Sequence, residues 1–351
     1  MKRLVLLIAV FFLCAGTYAQ NPVVSADSLW SGDDQQAEKF YNDGIKSYDA
    51  KNLQEALKQF DQAIQLKPTF DKAIFNRGSV KLELKDYAGA ITDFNRSIEL
   101  GPSAKAYFSR GKAKEATGDK DGAYADYTKA IELDASHAQA YYYRGDISFE
   151  KGEYDKAIQD FTLAIQSKSD FAYAYNDRGS ARFKLEKFDD AVADYKMATT
   201  LNPSMAFAYN NMGSVKKKQK DFKGAVDDYT AAIKIKADYY IAYNNRGTAY
   251  FELDNFEAAL ADYNEAIKQK PDYAYAYNNR GNVKYKLKDY EGALADYAKA
   301  VELNPSYGYA YLNRGIAYEM MRKNTNSCED WKKAAALGIN TADTYVKNQC
   351  K

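Results

Sequence analysis

Nine glycines recur through this chain at an almost constant interval. Successive members are 34 residues apart, except for one spacing of 33 between Gly78 and Gly111. The column consists of Gly44, Gly78, Gly111, Gly145, Gly179, Gly213, Gly247, Gly281 and Gly315. A fixed period of this length is typical of arrays in which one small unit is stacked on copies of itself. We number the units 1 to 9 by these glycines and give positions as offsets from them.

Further columns keep the same register. Alanine stands at +12 in the first eight units, and at +19 in every unit except the second, which has Ser97. The +16 position is aromatic throughout: Phe60, Phe94, Tyr127, Phe161, Tyr195, Tyr229, Tyr263, Tyr297 and Trp331. The pattern predicts that small and large side chains alternate at closely packed positions.

Two kinds of break divide each unit. Five prolines stand at +24, where they end a helix because proline lacks the backbone donor: Pro68, Pro102, Pro203, Pro271 and Pro305. Polar turn residues such as Asp86, Asp119, Asp221, Asn255 and Asp289 mark a second break. Two stretches of about 13 residues with helical apolar spacing lie between the breaks. Each unit is therefore predicted to be a helical hairpin.

These columns resemble the tetratricopeptide repeat, across about Ala37 to Thr341. The resemblance rests on the glycines, the alanine–aromatic–alanine series, the prolines, and a tyrosine at −4 in units 3 to 9. It implies an all-α fold, a right-handed α-solenoid of helix–turn–helix repeats with a concave groove. We expect a signal peptide over 1–19, a flexible segment over 20–36, nine units over 37–341 and a C-terminal capping helix over 342–351.

The glycines and the arginines beside them are predicted to be structural. Short helices must bury their apolar faces on their neighbours, and each glycine then marks a place with no room for a side chain. Arginine precedes the glycine in seven units and shares the packing face of the tyrosine column. A buried guanidinium requires a carboxylate, and an aspartate column stands at +15. We predict a ladder of Arg–Asp pairs, within or between repeats, interrupted by Met212.

The offsets −6, −3, −2, +1, +4 and +5 lie opposite the packing face and are expected to line the groove. Asparagine amides there offer donors and an acceptor to the backbone of an extended peptide, and aromatic neighbours would supply affinity. The alternative is that these are solvated polar residues copied by duplication. The candidate ligand residues are Asn176, Asn210, Asn244, Asn278, Asn211, Asn245, Asn279, Tyr173, Phe207, Tyr275, Tyr309, Phe183, Phe251 and Tyr285.

The family's best-known binding mode is a carboxylate clamp, which requires lysine at −3 and basic residues at −6 and −2. Here −3 is never lysine and −2 is never basic. Lysines gather instead toward the other rim in units 5 to 8: Lys184, Lys216, Lys217, Lys218, Lys220 and Lys286. They indicate either an acidic partner or a solvated edge.

Charge and composition narrow the classes of function. Lys and Arg total 49 against 48 for Asp and Glu, which disfavours general binding of nucleic acid or anionic membrane. The single histidine, His137, gives no basis for a His-based triad or a multi-His metal site. No phosphate-binding loop motif is present. We expect no catalysis and no cofactor.

The N-terminal residues are typical of an export signal. Lys2 and Arg3 precede the apolar run Leu4–Leu13 and a small-residue site that ends at Ala19. We expect a cleaved leader and a periplasmic or cell-surface location in a bacterium, without stable membrane insertion. Lipidation at Cys14 and a retained anchor are the alternatives.

The two remaining cysteines, Cys328 and Cys350, are expected to form a disulfide in an oxidising compartment. It would staple the capping helix to the last repeat and contribute roughly 3 kcal/mol. Two free thiols are the alternative.

The sequence therefore predicts a non-catalytic scaffold that binds an extended peptide or protein segment in its groove. A glycan- or cell-wall-binding module is one alternative, since aromatic faces beside amides also suit sugar rings. A structural spacer with an empty groove is another. The identity of the partner is not encoded in any motif.

Overall fold

The computed structural model describes residues 32–350, so the predicted leader and its cleavage site lie outside the described residues. Over this range the secondary structure consists of nineteen α-helices. The chain divides between Pro102 and Ser103 into two compact units of contacts, which we treat separately.

The first compact unit contains repeats 1 and 2. Its helices are α1 (Gly32–Asp49), α2 (Leu53–Leu66), α3 (Asp71–Glu83) and α4 (Tyr87–Leu100). They pack in chain order as two helical hairpins. Helix α1 begins at Gly32, five residues before the predicted start of the array at Ala37, so residues 32–36 of the predicted N-terminal segment belong to a helix.

The second compact unit contains repeats 3 to 9, again as successive hairpins. We call the first helix of each hairpin A and the second B. The helices are α5 (Ala104–Ala116), α6 (Lys120–Leu133), α7 (Ala138–Glu150), α8 (Tyr154–Ser167), α9 (Ala172–Lys184), α10 (Phe188–Leu201), α11 (Ala206–Lys218), α12 (Phe222–Ile235), α13 (Tyr240–Glu252), α14 (Phe256–Gln269), α15 (Ala274–Lys286), α16 (Tyr290–Leu303), α17 (Gly308–Met320), α18 (Asn324–Ala336) and the capping helix α19 (Asn340–Gln349).

Both kinds of predicted break stand where the sequence placed them. In repeat 8 the Asp289 carboxylate caps α16 by accepting a hydrogen bond of 2.9 Å from the backbone N–H of Gly292. Pro305 follows the end of the same helix at Leu303. The structure confirms the prediction of an all-α solenoid built from hairpins, with a capping helix at its C-terminal end.

The aromatic column at +16 forms the interior of each hairpin. All nine rings are buried, with at most 2% of each side chain exposed, and the +12 alanines beside them are fully buried. The rings fill the space in front of the glycines. A Cβ placed on Gly281 would lie 2.7 Å from the ring of Tyr297, and one on Gly315 would lie 2.5 Å from Trp331. Since packed carbon atoms do not approach so closely, any side chain at these positions would displace a core ring.

Seven arginines pair with aspartates inside their own hairpins. In repeat 7, Arg246 donates from Nε and Nη2 to both carboxylate oxygens of Asp262, at 2.8 and 2.7 Å. Its Nη1 donates to Thr230 of the preceding repeat at 3.1 Å. The ion pair therefore lies within a repeat, while the third hydrogen bond joins that repeat to the one before it. The seven pairs are Arg77–Asp93, Arg110–Asp126, Arg144–Asp160, Arg178–Asp194, Arg246–Asp262, Arg280–Asp296 and Arg314–Asp330.

Repeat 6 shows how the hairpin accommodates the loss of its arginine. Met212 occupies the column and is buried, and Asp228 is paired instead with Lys216 at 2.8 Å. Repeat 8 has both cations, because Lys284 lies 2.8 Å from Asp296 in addition to Arg280. A buried aspartate thus keeps a cationic partner in every one of these repeats, as the cost of burying an unpaired charge requires.

Candidate ligand groove

The asparagines at −3 form a ladder of amides with those at −2. They stand on the A helices α9, α11, α13, α15 and α17. Each −3 amide oxygen accepts a hydrogen bond from the Nδ2 of the −2 asparagine one repeat later. The four links are Asn211 to Asn176 at 3.3 Å, Asn245 to Asn210 at 3.0 Å, Asn279 to Asn244 at 3.0 Å and Asn313 to Asn278 at 3.0 Å.

Burial corrects the expected role of the −3 residues. Asn176, Asn210, Asn244 and Asn278 have only 3–6% of their surface exposed. Their oxygens are occupied by the next repeat, so these four side chains are not open to a ligand backbone. They satisfy buried polar groups between successive A helices, a packing role that neither the peptide-ladder prediction nor its solvated alternative included.

The −2 residues remain accessible. Asn211, Asn245 and Asn279 are half-buried, and each is held by its Nδ2 as described above. Among the described residues, nothing donates a hydrogen bond to the Oδ1 of Asn211 or Asn245. The ladder therefore holds the amides of Asn211 and Asn245 through Nδ2 and leaves the Oδ1 of each as an oriented acceptor, whereas the Oδ1 of Asn279 accepts from the Nδ2 of Asn278 at 3.3 Å.

The −6 aromatics are exposed at the beginning of the A helices. Tyr173, Phe207, Tyr275 and Tyr309 have 37–57% of their surface exposed. The Tyr275 ring lies 4.8 Å from the ring of Tyr307 and 5.5 Å from that of Tyr273, at interplanar angles of 56° and 55°. These rings occur in repeats 5, 6, 8 and 9, with Ile241 at the position in repeat 7, and exposed aromatic side chains are enriched at contact sites.

The +4 aromatics are less exposed. Phe183, Phe251 and Tyr285 are half-buried, and each contacts the first aromatic residue of its own B helix at 5.4–5.8 Å between ring centroids. Phe251 and Tyr285 also line a cavity of about 220 Å³ that extends over repeats 7 to 9. The other lining residues are Asn282, Lys286, Tyr297, Asn313 and Ile316.

Polar groups inside this cavity are partly occupied. The Oδ1 of Asn282 accepts from the Tyr297 hydroxyl at 2.8 Å and from Asn313 at 3.1 Å. Its Nδ2 finds no acceptor within the described part of the chain. Asn282 and Ile316 are not among the candidate ligand residues, although both stand at +1, one of the offsets predicted to line the groove. The cavity therefore presents an amide donor beside two aromatic walls.

The lysines of repeats 5 to 8 fall into distinct environments. Lys216 is taken up by its pair with Asp228, whereas Lys184, Lys218, Lys220 and Lys286 are exposed. Lys217 is half-buried, and burial lowers its pKa, an effect that Lys218 reinforces and Glu252 opposes. The six lysines therefore do not form the single patch expected from the sequence. Lys216 has a structural role, Lys217 is partly buried, and the other four are exposed to solvent.

The same face is acidic in repeats 3 to 5. Glu115 accepts from the Tyr127 hydroxyl and Asp177 from the Tyr142 hydroxyl, both at 2.6 Å. Burial raises the pKa of Asp146 to about 6, and the carboxylates of Asp177, Glu150 and Glu115 raise it further in that order. Because like charges disfavour ionisation at close range, these carboxylates oppose one another, although Glu150 also pairs with Lys120 at 2.6 Å.

The two C-terminal cysteines lie together. The Sγ atoms of Cys328 in α18 and Cys350 at the end of α19 are 2.08 Å apart, which joins the capping helix to the last hairpin. Oxidation of this pair in the cell stays a prediction, because it depends on the compartment. A polar cavity of about 590 Å³ adjoins the cysteines.

Two classes of feature are not found within residues 32–350. Groups of His, Cys, Asp and Glu side chains that would suit a metal ion do not occur there. None of the helices in this range combines the length and apolar character that a bilayer crossing requires.

Family models match most of the chain. Models described as tetratricopeptide repeat match residues 46–105, 108–172, 172–205, 208–239 and 274–307, and one described as TPR repeat matches residues 247–288. A curated relative, the Protein STIP1 homolog of Dictyostelium discoideum, is 38% identical over 68 residues, which are 19% of this chain and 12% of that protein. The chain therefore spans about an eighth of that relative's length.

Solved structures share the fold at low identity. The C-terminal part of a TPR repeat-containing protein from Cytophaga hutchinsonii matches with a TM-score of 0.57 at 17% identity, covering 68% of this chain and 98% of that one. The Cut9–Hcn1 hetero-tetramer of the APC/C gives 0.57 at 13% identity, covering 90% and 76%. Yeast Tom70 gives 0.50 at 15% identity, covering 90% and 89%. With its repeat columns, its stacked hairpins and these family matches, the chain belongs to the tetratricopeptide repeat family.

Proposed function

We propose that this protein is a non-catalytic scaffold that binds an extended protein segment along the A helices of repeats 5 to 8. The observation that carries the proposal is the amide ladder. It holds Asn211 and Asn245 by one arm and leaves their oxygens without a donor among the described residues.

An extended peptide supplies the groups that this surface lacks. Its backbone N–H groups match the free Asn oxygens, and its carbonyls match the free Nδ2 of Asn282. Because the ladder orients the asparagine amides before binding, less rotamer entropy is lost on association. The exposed rings at −6 would bury apolar side chains of the segment and supply most of the affinity.

The ring geometry favours a peptide over a sugar. Neighbouring rings at Tyr273, Tyr275 and Tyr307 are tilted by more than 50°. Rings tilted in this way suit contact with single side chains, whereas stacking of a sugar ring requires one flat exposed face. Tyr173 and Phe207 are tilted less, by 33°. Glycan binding remains the alternative that the experiment below distinguishes.

The proposal includes the export predicted from the N-terminal residues, and places the scaffold in the periplasm or at the surface of a bacterium. The support is the cationic start, short apolar run and small-residue site of residues 2–19. In that compartment the pairing of Cys328 with Cys350 is also expected.

The test compares two variants of the full chain in cross-linking pull-downs from the native envelope, and on peptide and glycan arrays. The groove variant carries Tyr173→Ala, Tyr275→Ala and Tyr309→Ala. The control carries Leu133→Ala and Leu163→Ala, which remove exposed apolar side chains from B helices. Since all five residues are exposed, both variants are expected to keep their helicity, which circular dichroism checks.

We expect the parent and the control to retain the same protein partner and the same array peptides, and the groove variant to lose both. Loss in both variants, or in neither, would contradict binding at this face. Binding of the parent protein to glycan arrays but not to peptide arrays would indicate that the ligand is a sugar and not a peptide. No binding to any of them would favour the structural spacer.

A further inference from the structure

Lys217 stands in a column whose other members in repeats 4 to 8 are aromatic. The +4 position is Phe149, Phe183, Phe251 and Tyr285 in repeats 4, 5, 7 and 8, and lysine in repeat 6. Phe251 and Tyr285 line the groove cavity, so the equivalent position in repeat 6 belongs to the same wall. A cation therefore replaces a ring at the centre of the proposed peptide site.

Lys217 is partly buried but, in the described part of the chain, has no carboxylate in contact with its ammonium group. Within residues 32–350 it makes no ion pair and no side-chain hydrogen bond, although its neighbour Lys216 is paired with Asp228 at 2.8 Å. Burial lowers the pKa of Lys217, and so does the charge of Lys218, whereas the carboxylate of Glu252 raises it. A half-buried cation without a partner is destabilising, and a bound carboxylate would relieve that cost.

The charges around Lys217 set the sign of the partner. Lys184, Lys218 and Lys286 are exposed at +5 in repeats 5, 6 and 8, and the only acidic member of that column in repeats 5 to 8 is Glu252. Repeat 5 also carries Asp177 on this face, so the lysines outnumber the acidic groups only over repeats 5 to 8 taken together. A negative segment is thus attracted to the lysines of repeats 5 to 8.

We propose that the segment bound in the groove is acidic, and that one of its Asp or Glu side chains pairs with Lys217. This inference rests on the proposed function and names the class of its partner. The carboxylate is an internal side chain, so a free C-terminus is not required. The surrounding lysines speed association and fix the register, while Lys217 supplies the sheltered contact.

The test uses three libraries of twelve-residue peptides with amidated C-termini. Alternate positions are random, and the others are glutamate, glutamine or lysine. Binding to the full chain is measured by fluorescence anisotropy at one ionic strength. The variant Lys217→Phe installs the ring found in the neighbouring repeats, and Lys217→Arg keeps the charge. The control is Lys234→Met, which removes an exposed charge from the B helix of the same repeat.

The parent is expected to bind the glutamate library about tenfold more tightly than the glutamine library, and the lysine library least. Lys217→Phe should lose most of the preference for the glutamate library over the glutamine library, while Lys217→Arg and Lys234→Met keep it. Equal binding of all libraries by the parent, or a preference that Lys217→Phe leaves undiminished, overturns the inference and leaves the groove as a peptide site. Binding of no library overturns both. Competition by polygalacturonate at lower concentration than by the glutamate library would assign the site to an acidic sugar instead.

Discussion

The substitution Arg246→Met is predicted to weaken repeat 7 far more than Arg280→Met weakens repeat 8. Both arginines donate from Nε and Nη2 to a buried aspartate, at 2.8 and 2.7 Å in repeat 7 and at 2.9 and 2.6 Å in repeat 8. Asp262 and Asp296 are 5% and 4% exposed, so the two sites are matched in burial. The difference that matters to the aspartate is the residue at +3. Lys284 lies 2.8 Å from Asp296, whereas Tyr250 occupies the equivalent position in repeat 7.

The magnitudes follow from what each aspartate retains. Removing the arginine from Asp262 leaves an uncompensated buried charge, which costs about 3–5 kcal/mol. Asp296 would keep Lys284, in the arrangement that repeat 6 already has with Met212, Lys216 and Asp228. The loss there is that of charge-assisted hydrogen bonds with a cation still in place, about 1.5–3 kcal/mol. The opening of the repeat 7 hairpin should therefore increase roughly tenfold more than the opening of repeat 8.

Native-state hydrogen exchange is the suitable assay, because a repeat array does not unfold as one two-state unit. The amides of Phe256–Gln269 report on repeat 7 and those of Tyr290–Leu303 on repeat 8. Burial already raises the pKa of Asp262, and loss of Arg246 would raise it further. A protonated carboxyl costs less to bury, so the deficit of Arg246→Met should shrink as pH falls through that pKa. Equal costs for the two variants, or a deficit independent of pH, would refute this account of the ladder.

Three further predictions concern other positions. Gly281→Ala should destabilise repeat 8 by about 1–3 kcal/mol, because its Cβ would lie 2.7 Å from the Tyr297 ring, and hydrogen exchange of the same hairpin measures it. Cys350→Ser should lower the stability of the last hairpin by roughly 3 kcal/mol, and non-reducing mass spectrometry should find no free thiol at Cys328 or Cys350 in the parent. N-terminal sequencing of protein from the envelope should begin at Gln20, and an intact Met1 would contradict a cleaved leader.

The architecture could be predicted from the sequence because its signals are local and repeated. A proline or a capping aspartate ends or begins a helix through its own backbone geometry, and the structure places these breaks as expected. The Arg and Asp columns were also predictable, since two opposite charges on packing faces require each other. The choice of partner was not predictable. The partner is decided by which helix lies next to the guanidinium, and in the structure this is the B helix of the same hairpin.

The groove depended more strongly on tertiary structure. The −3 and −2 asparagines stand on the same helical face at adjacent positions, and the sequence does not distinguish them. Only the approach of the next A helix buries Asn244 against Asn279 while Asn245 keeps an open oxygen. Likewise Lys216 and Lys217 are adjacent and chemically identical, yet Lys216 pairs with Asp228, whereas Lys217 is half-buried with no ion pair within residues 32–350.

The sequence by itself therefore determined the repeat, the hairpin and the positions that pack, because helix breaks and 3.6-residue periodicity act within a few residues. Tertiary structure decided which polar side chains on the shared face are satisfied by a neighbouring repeat and which are left open. That distinction depends on hydrogen bonds of about 3 Å between side chains on successive A helices. It cannot be predicted from the local sequence around an asparagine or a lysine.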